Sequence, residues 1–549
     1  MIRTLACLLA VSALLLTTGC PTTPTCTPQS CASGCCSASG VCESGDTAMA
    51  CGTAGARCDT SISSQVCSAG RCMAVSGVGG GAAGGTGGGS AGGAGGGATS
   101  DTITGTYQAV FGWDGDGGRT SSIDFSRATV GVWYRDGGSP DFIRGAGTAQ
   151  GTFSVANLPP GEVTLQLGDR YIVTSDRSVA FNFAVGGRID AQQATQASLA
   201  RFTFDGLEPL NDTHSIGIFF TQGDSAAFNL ETVARPPTMN GATQFASDLD
   251  WLAVSQGVDV GLPDSSKGDL GWAFQNQSIV TDAGVTTMVV RAGAIAPFTL
   301  TNGGIADVAA TALTAPPTAT WAIAVDRAAF EAVRASVGRD VGAGQWSFEV
   351  GTSPAAEARN NIHSAFTLGS VVVNEPAAPP SSLAFATPFP ATWARTAEVS
   401  YFVRQPRTPP NGMPIQFAGG VVSVMPLAMA MGGTIALPIS PVRGAQIASR
   451  NFTEDQTGIG LTPSLSWMAP TTGTVTSYRV SIFRMGTNGQ NAQLQRIYTK
   501  NPGVTLPPGL LTMGQSYVMQ IEAMRWTEGP VYFGLPFSYS IVVSGVLTP

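Results

Sequence analysis

Leu465-Ser466-Trp467-Met468-Ala469-Pro470, followed shortly by Tyr478-Arg479-Val480-Ser481-Ile482-Phe483, is the stretch that decides the fold. In both runs the bulky apolar side chains recur at every second position. A period of two places them on one face of a β-strand, with the residues between on the other. Further on, Tyr517-Val518-Met519-Gln520-Ile521-Glu522-Ala523 and Phe537-Ser538-Tyr539-Ser540-Ile541-Val542-Val543 repeat the strand pattern. Gly and Pro punctuate the gaps. Helical blocks of Glu, Lys, Leu and Ala are scarce, and charged residues make up only 12% of the chain, so the composition favours strands over long helices.

Working outward, Leu511-x-x-Gly514-x-x-Tyr517 places a Leu and a Tyr at the spacing of a tyrosine corner. Together with the Trp467 strand this makes residues 441–549 resemble a fibronectin type III domain. The resemblance implies that Trp467 is the core tryptophan and Tyr517 the corner tyrosine. Near the other end, Gly151-Thr152-Phe153-Ser154-Val155 and Val163-Thr164-Leu165 flank Asn157-Leu158-Pro159-Pro160-Gly161. Pro presets φ and Gly permits φ > 0 in such a turn. Residues 101–178 are thereby similar to carboxypeptidase-regulatory-like β-sandwich modules. Between them, 179–440 reads as a β-rich middle region with room for two domains. One helix interrupts it, with Asp326 as N-cap and Gly338 as its stop. The expected fold class is all-β: tandem β-sandwich-like domains after a small disulfide-rich module and a Gly-rich linker.

The N-terminal part sets the address. Arg3 precedes an apolar run from Leu5 to Leu16, too short for a transmembrane helix and right for a signal peptide. Thr17-Thr18-Gly19-Cys20 follows and resembles the lipobox of bacterial lipoproteins, with Thr17 where the family usually carries Leu. That resemblance implies a leader over 1–19 and acylation of Cys20. Losing Arg3 would take the net charge from −8 to −8 − 1 = −9. Cys26, Cys31, Cys35, Cys36, Cys42, Cys51, Cys58, Cys67 and Cys72 crowd residues 20–76, where large apolar residues are few. In an exported segment such density reads as a disulfide framework. No His and no C-x-x-C pair accompanies them, which argues against zinc. The Cys31-x3-Cys35-Cys36, Gly40-x-Cys42, Cys51-Gly52 pattern resembles small cysteine-rich modules that follow the leader in secreted proteins of myxobacteria. Nine cysteines after Cys20 leave one without an intramolecular partner. Residues 77–100 are almost all Gly, Ala and Ser, a flexible spacer.

Catalytic patterns are thin. His214 and His363 sit in unrelated contexts, and no cysteine follows Cys72. Walker A, HExxH and G-x-S-x-G patterns are missing. Trp113-Asp114-Gly115-Asp116-Gly117 has two acids where a calcium loop needs more ligands. Lys267-Gly268-Asp269 matches an adhesion tripeptide in form only. The densest grouping of acids with aromatics is Asp248, Asp250, Trp251, Asp259, Asp264, Asp269 and Trp272. Glycoside hydrolysis needs only two suitably spaced acids. Asp250, Trp251, Asp264, Asp269 and Trp272 are therefore the candidate ligand cluster, against the plainer reading of acidic turns between strands. No cofactor or metal is expected. An acidic chain without a basic stripe is a poor nucleic-acid binder. The expected role is that of a non-catalytic lipoprotein of the outer membrane or cell surface, held by its lipid anchor and binding an extracellular protein or polysaccharide. The alternative is an exported carbohydrate-active enzyme or sugar-binding protein using the middle-region acids and tryptophans.

Overall fold

The computed structural model describes residues 31, 35–36, 42–43, 46–47, 50–51, 65–68 and 71–74, and most of 101–549. In the latter range it leaves out 112–118, 123, 137–138, 186–187, 189, 222–226, 230–239, 255–260, 283, 354–365, 411, 487 and 528–533. Cys20, Cys26, Cys58, Asp259, His363, the Trp113–Gly117 turn and the Gly-rich spacer lie outside the described residues. The chain divides into two compact units, Met1–Ser76 and Gly77–Pro549.

The first unit carries short antiparallel ladders that pair Cys35–Cys36 with Cys42–Glu43, Asp46–Thr47 with Ala50–Cys51, and Gln65–Ser68 with Arg71–Ala74. Cys31 is buried and disulfide-bonded.

The second unit is all-β. Its four sandwiches follow one another along the chain, and each contributes strands to one continuous inner sheet. Along that sheet the order runs from Ser139–Arg144 through Val130–Asp136, Val163–Leu167 and Arg170–Thr174 of the first sandwich. It passes to Asn491–Thr499, Ser477–Met485, Tyr517–Thr527 and Gly534–Val543 of the fourth. Then come Ile415–Pro426, Ala394–Arg407, Gly344–Ser353 and Phe366–Asn374 of the third. Gly284–Ile295, Gly271–Val280, His214–Phe220 and Ala227–Asn229 of the second end it. Among the described residues no ladder joins the two end strands. In space the order is first, fourth, third, second. The expected cuts at 178/179 and 440/441 fall between stretches that hydrogen-bond in this one sheet: Arg170–Val173 runs parallel to Arg496–Thr499, and Gly420–Val424 antiparallel to Phe537–Ile541.

Four smaller sheets cover the inner one. The first contains Ile103–Phe111, Thr152–Val155 and Ser178–Val185; the second contains Leu199–Asp205 and Gln244–Asp250. The third pairs Thr318–Ala322 with Ser382–Ala386, and the fourth contains Arg443–Ile447 and Ser464–Met468. Asn157 (φ 60°) and Gly161 (φ 96°) make the left-handed corners of the turn after Thr152–Val155. Asp326 caps a helix over Arg327–Ala332, its carboxylate accepting from the Ala329 N–H at 3.2 Å.

Several inner strands are buried on both faces. Tyr171 and Val173 join one apolar core while Ile172 joins another; the same split separates Ile497 from Tyr498 and Ala523 from Met524. Likewise Phe219 packs with Phe366, Phe389 and Trp393, while Ile218 and Phe220 pack with Phe202 and Trp251. Burial on both faces removes the need for alternation, and Val421-Val422 and Ile541-Val542-Val543 are apolar at consecutive positions for that reason.

Candidate functional site

The five residues of the expected ligand cluster do not line one cleft. Trp251 is fully buried in the second sandwich, its indole N–H donating to the Gly261 carbonyl at 3.0 Å. Trp272 belongs to an aromatic cluster on the opposite face of the sheet, with ring centroids 4.8 Å from Trp393 and 5.1 Å from Phe389. Asp250 accepts from the Ser198 and Leu252 N–H groups, both at 3.0 Å. Asp264 caps a short 3-10 turn over Ser265–Lys267, accepting from the Ser266 N–H and hydroxyl. Asp269 is buried and takes a two-pronged bond from Arg188, with Nε and Nη2 each 2.9 Å from a carboxylate oxygen, and a third from the Asp264 N–H at 2.7 Å. These acids hold turns and one guanidinium; that is the chemistry of acidic turn residues. Lys267 pairs with Asp190 at 2.7 Å, so the Lys-Gly-Asp tripeptide is divided between two ion pairs. His214 is buried with its Nε2 3.8 Å from Glu208. In the fourth sandwich, Trp467 is buried with its ring 5.3 Å from Tyr478, and the buried Tyr517 phenol accepts from the Thr512 N–H at 2.8 Å.

The charged groups gather elsewhere, on the face of the inner sheet shared by the first and fourth sandwiches. Arg479 stands opposite Glu522 on one side and Tyr498 on the other. It meets the Glu522 carboxylate as a fork, Nε to Oε1 at 2.9 Å and Nη2 to Oε2, and the Ser481 hydroxyl adds a bond to Oε1 at 3.1 Å. Burial disfavours the Arg479 charge, but Glu522 outweighs it and holds the guanidinium pKa above its usual value. Arg170 lies over the rings of Tyr107 (5.5 Å) and Phe181 (5.7 Å), a cation–π arrangement. Burial pushes the Tyr107 phenol up.

On the same face, within the third sandwich, two carboxylates oppose each other. Glu349 and Glu398 are direct partners in the antiparallel ladder, which brings their Cβ atoms to about 5 Å. The Thr367 hydroxyl donates to Glu349 at 2.7 Å, and Ser370 and Val424 flank the pair along the ladder. Burial, then the Glu349 charge, lifts Glu398 from 4.5 to about 7; burial lifts Glu349 as well. The Tyr539 phenol is raised by burial and by Glu522 and Glu398. The pair therefore carries a proton near neutrality.

The sequence places Arg479, Ser481 and Glu522 at the polar positions of alternating strands, which reads as a solvent face. A charge retained on each of two neighbouring strands is the signal that could have singled them out. Nothing near Glu349 or Glu398 in the sequence marks them.

No protein-family model and no curated protein matches the chain. Among solved structures, the FN1–FN3 domains of chicken CNTN1 align with 66% of this chain and 98% of that one, at 9% identity and a TM-score of 0.11. A tetra-tandem repeat from the extending region of a large adhesion protein aligns over 80% and 99%, at 12% identity and 0.12. The N-terminal four Ig domains of Dscam1 isoform 8.4 align over 82% and 100%, at 9% identity and 0.12. At these TM-scores the likenesses carry no argument, and the all-β class rests on the strands of this chain.

Proposed function

We propose that the chain is a non-catalytic exported lipoprotein of the cell surface, anchored by acylated Cys20, that binds an extracellular protein or polysaccharide through its sandwiches. In this reading the cysteine-rich segment over 20–76, stapled by disulfides, follows the anchor in the chain, and the Gly-, Ala- and Ser-rich stretch over 77–100 separates it from the sandwiches in sequence. The observation that carries the binding role is the unbroken inner sheet. Ladders at 170–173 with 496–499, 420–424 with 537–541, and 284–288 with 369–373 tie the sandwiches together through backbone hydrogen bonds. Side chains from different sandwiches are thus held in fixed register on a shared face. Such preorganisation lowers the ordering cost of binding. The engagement of Asp250, Asp264 and Asp269 with backbone N–H groups and Arg188 supports a non-catalytic reading of that region.

Two measurements test this. Cys20→Ala in the full chain should move the protein from the membrane fraction to the soluble one; retention in the membrane fraction overturns the anchor. The wild-type protein should leave a panel of polysaccharides uncleaved. Turnover that disappears in Asp264→Asn would overturn the non-catalytic role.

A further inference from the structure

The ladder joining the first and fourth sandwiches sets two arginines side by side. Arg170 is the direct partner of Arg496, and Arg496 is in turn the partner of Ser481, two residues from Arg479. Three guanidiniums therefore share one patch of one face. Like charges directly opposite in a ladder are destabilising. Of the carboxylates whose fields reach the patch, Glu522 is committed to Arg479 and Asp169 acts on Arg170. Arg170 is spread over the Tyr107 and Phe181 rings. Arg496 is the remainder. Its Nη2 donates to the exposed Gln493 side chain at 3.1 Å, while its Nε is buried and has no acceptor among the described residues. Burial, Arg479 and Arg170 all lower its pKa, yet a guanidinium keeps its proton in proteins, so proton loss does not relieve the repulsion. The chain has 36 acids against 28 Lys and Arg, yet among the described residues no carboxylate hydrogen-bonds to Arg496 Nε, and Glu522 reaches it only through its field.

We propose that Arg496, backed by the fields of Arg170 and Arg479, is a binding site for an oxyanion: a sulfate, phosphate or carboxylate group. The outer Nη edge of Arg496, beside Gln493, is the part of the guanidinium that such a group accepts from, a charge-assisted bond, and the unpartnered inner Nε leaves the positive charge uncompensated behind it. The contact to Gln493 places the outer end of the side chain toward solvent, so the group arrives from outside, either as a free ion or as the pendant charge of an acidic polymer. The site stands on this geometry alone and does not depend on acylation of Cys20.

Calorimetric titration of the full chain with sodium sulfate, and separately with dextran sulfate, tests it, with sodium chloride at matched ionic strength and neutral dextran as controls. The expected result is saturable binding that weakens by about tenfold or more in Arg496→Gln, the size of one charge-assisted hydrogen bond. Binding of sulfate and dextran sulfate alike assigns a free-ion site; binding of dextran sulfate alone assigns a polymer-borne group. Arg496→Lys keeps the charge and removes the Nη edge, and should also weaken binding. This second variant decides the matter if Arg496→Gln does not fold. No saturable binding of either sulfate form, or binding unchanged in these variants, overturns the proposal.

Discussion

Two pairs of like charges face each other across ladders of the same sheet, and they resolve the conflict in different ways. Glu349 opposes Glu398 within the third sandwich; Arg170 opposes Arg496 at the junction of the first and fourth. The carboxylates have a remedy within reach of physiological pH. Burial and the Glu349 charge raise Glu398 to about 7, so the pair can shed its repulsion by taking up a proton. The arginines have no such remedy, because their protons stay bound. Their region depends on counter-charge: Glu522 for Arg479, aromatic faces for Arg170, and an external anion for Arg496 under the inference above. An acidic pair titrates out of trouble, whereas a basic pair has to be partnered.

The sharpest way to break this contrast is to remove the partner. Glu522→Ala leaves the part-buried Arg479 without its carboxylate, and Ser481 without its acceptor. Removing one member of a buried ion pair costs roughly 3–5 kcal/mol. Urea unfolding should show that loss as a shift of the midpoint with an unchanged slope. A loss under about 1 kcal/mol, the size expected of an exposed pair, would mean that solvent already serves Arg479, and that the basic cluster is not short of counter-charge.

A smaller effect, of opposite sign, is expected on the acidic side. The folded-state pKa of Glu398 lies above its ordinary value, so the folded state holds a proton that the unfolded chain releases. Stability tied to that proton is complete below about 4.5 and is lost as pH rises toward about 7. Glu398→Gln mimics the protonated form. It should match the wild type at pH 4, be more stable at pH 8, and flatten the decline between. The groups facing Glu398 are Glu349 across one ladder, Val424 across the other, and the Tyr539 phenol, which stays neutral throughout because its own pKa is raised. A Gln variant less stable than the wild type at pH 8 would show that the ionised carboxylate is favourably held, and the contrast with the arginines would fail.

The parts of the molecule that alternate were legible in the sequence. Tyr478-Arg479-Val480-Ser481-Ile482 and Tyr517 to Ala523 lie on the strands their period indicates, and Asp326 caps its helix. What could not be read is which strands meet. Tyr171-Ile172-Val173 pairs on one edge with the neighbouring Val163–Leu167, but on its other edge with Arg496–Thr499, near the other end of the chain. Pairing of this kind is set by packing between distant segments, with no local signal. The same fact hid the charged site. Arg479 and Glu522 occupy polar positions of their strands, and only the arrival of Tyr107 and Phe181 from the first sandwich turns that face into an interior. The acids around Trp251 and Trp272 are near one another in the sequence, and the structure gives them separate surroundings. Asp248 and Asp250 lie on the strand Gln244–Asp250, Asp264 caps a turn, and the two tryptophans fill cores on opposite faces.

The finest test of the contrast concerns what steadies the acidic pair when it does ionise. Thr367 donates its hydroxyl to Glu349 at 2.7 Å, and this bond works against the burial that raises the Glu349 pKa. It strengthens as the carboxylate gains charge, since bonds to ionised acceptors exceed those to neutral ones. Thr367→Val keeps the branched shape and removes the donor. Loss of such a bond costs roughly 0.5–1.5 kcal/mol. The cost should appear at pH 8 and shrink toward pH 4, where Glu349 is protonated and asks less of its neighbour. In the Glu349→Gln background the pH dependence of the Thr367→Val penalty should vanish, because no charge then develops at that position. A penalty equal at both pH values in the wild-type background would assign Thr367 to packing alone. The carboxylate pair would then rely on proton uptake without support from its surroundings, and would differ from the arginine pair in the proton alone.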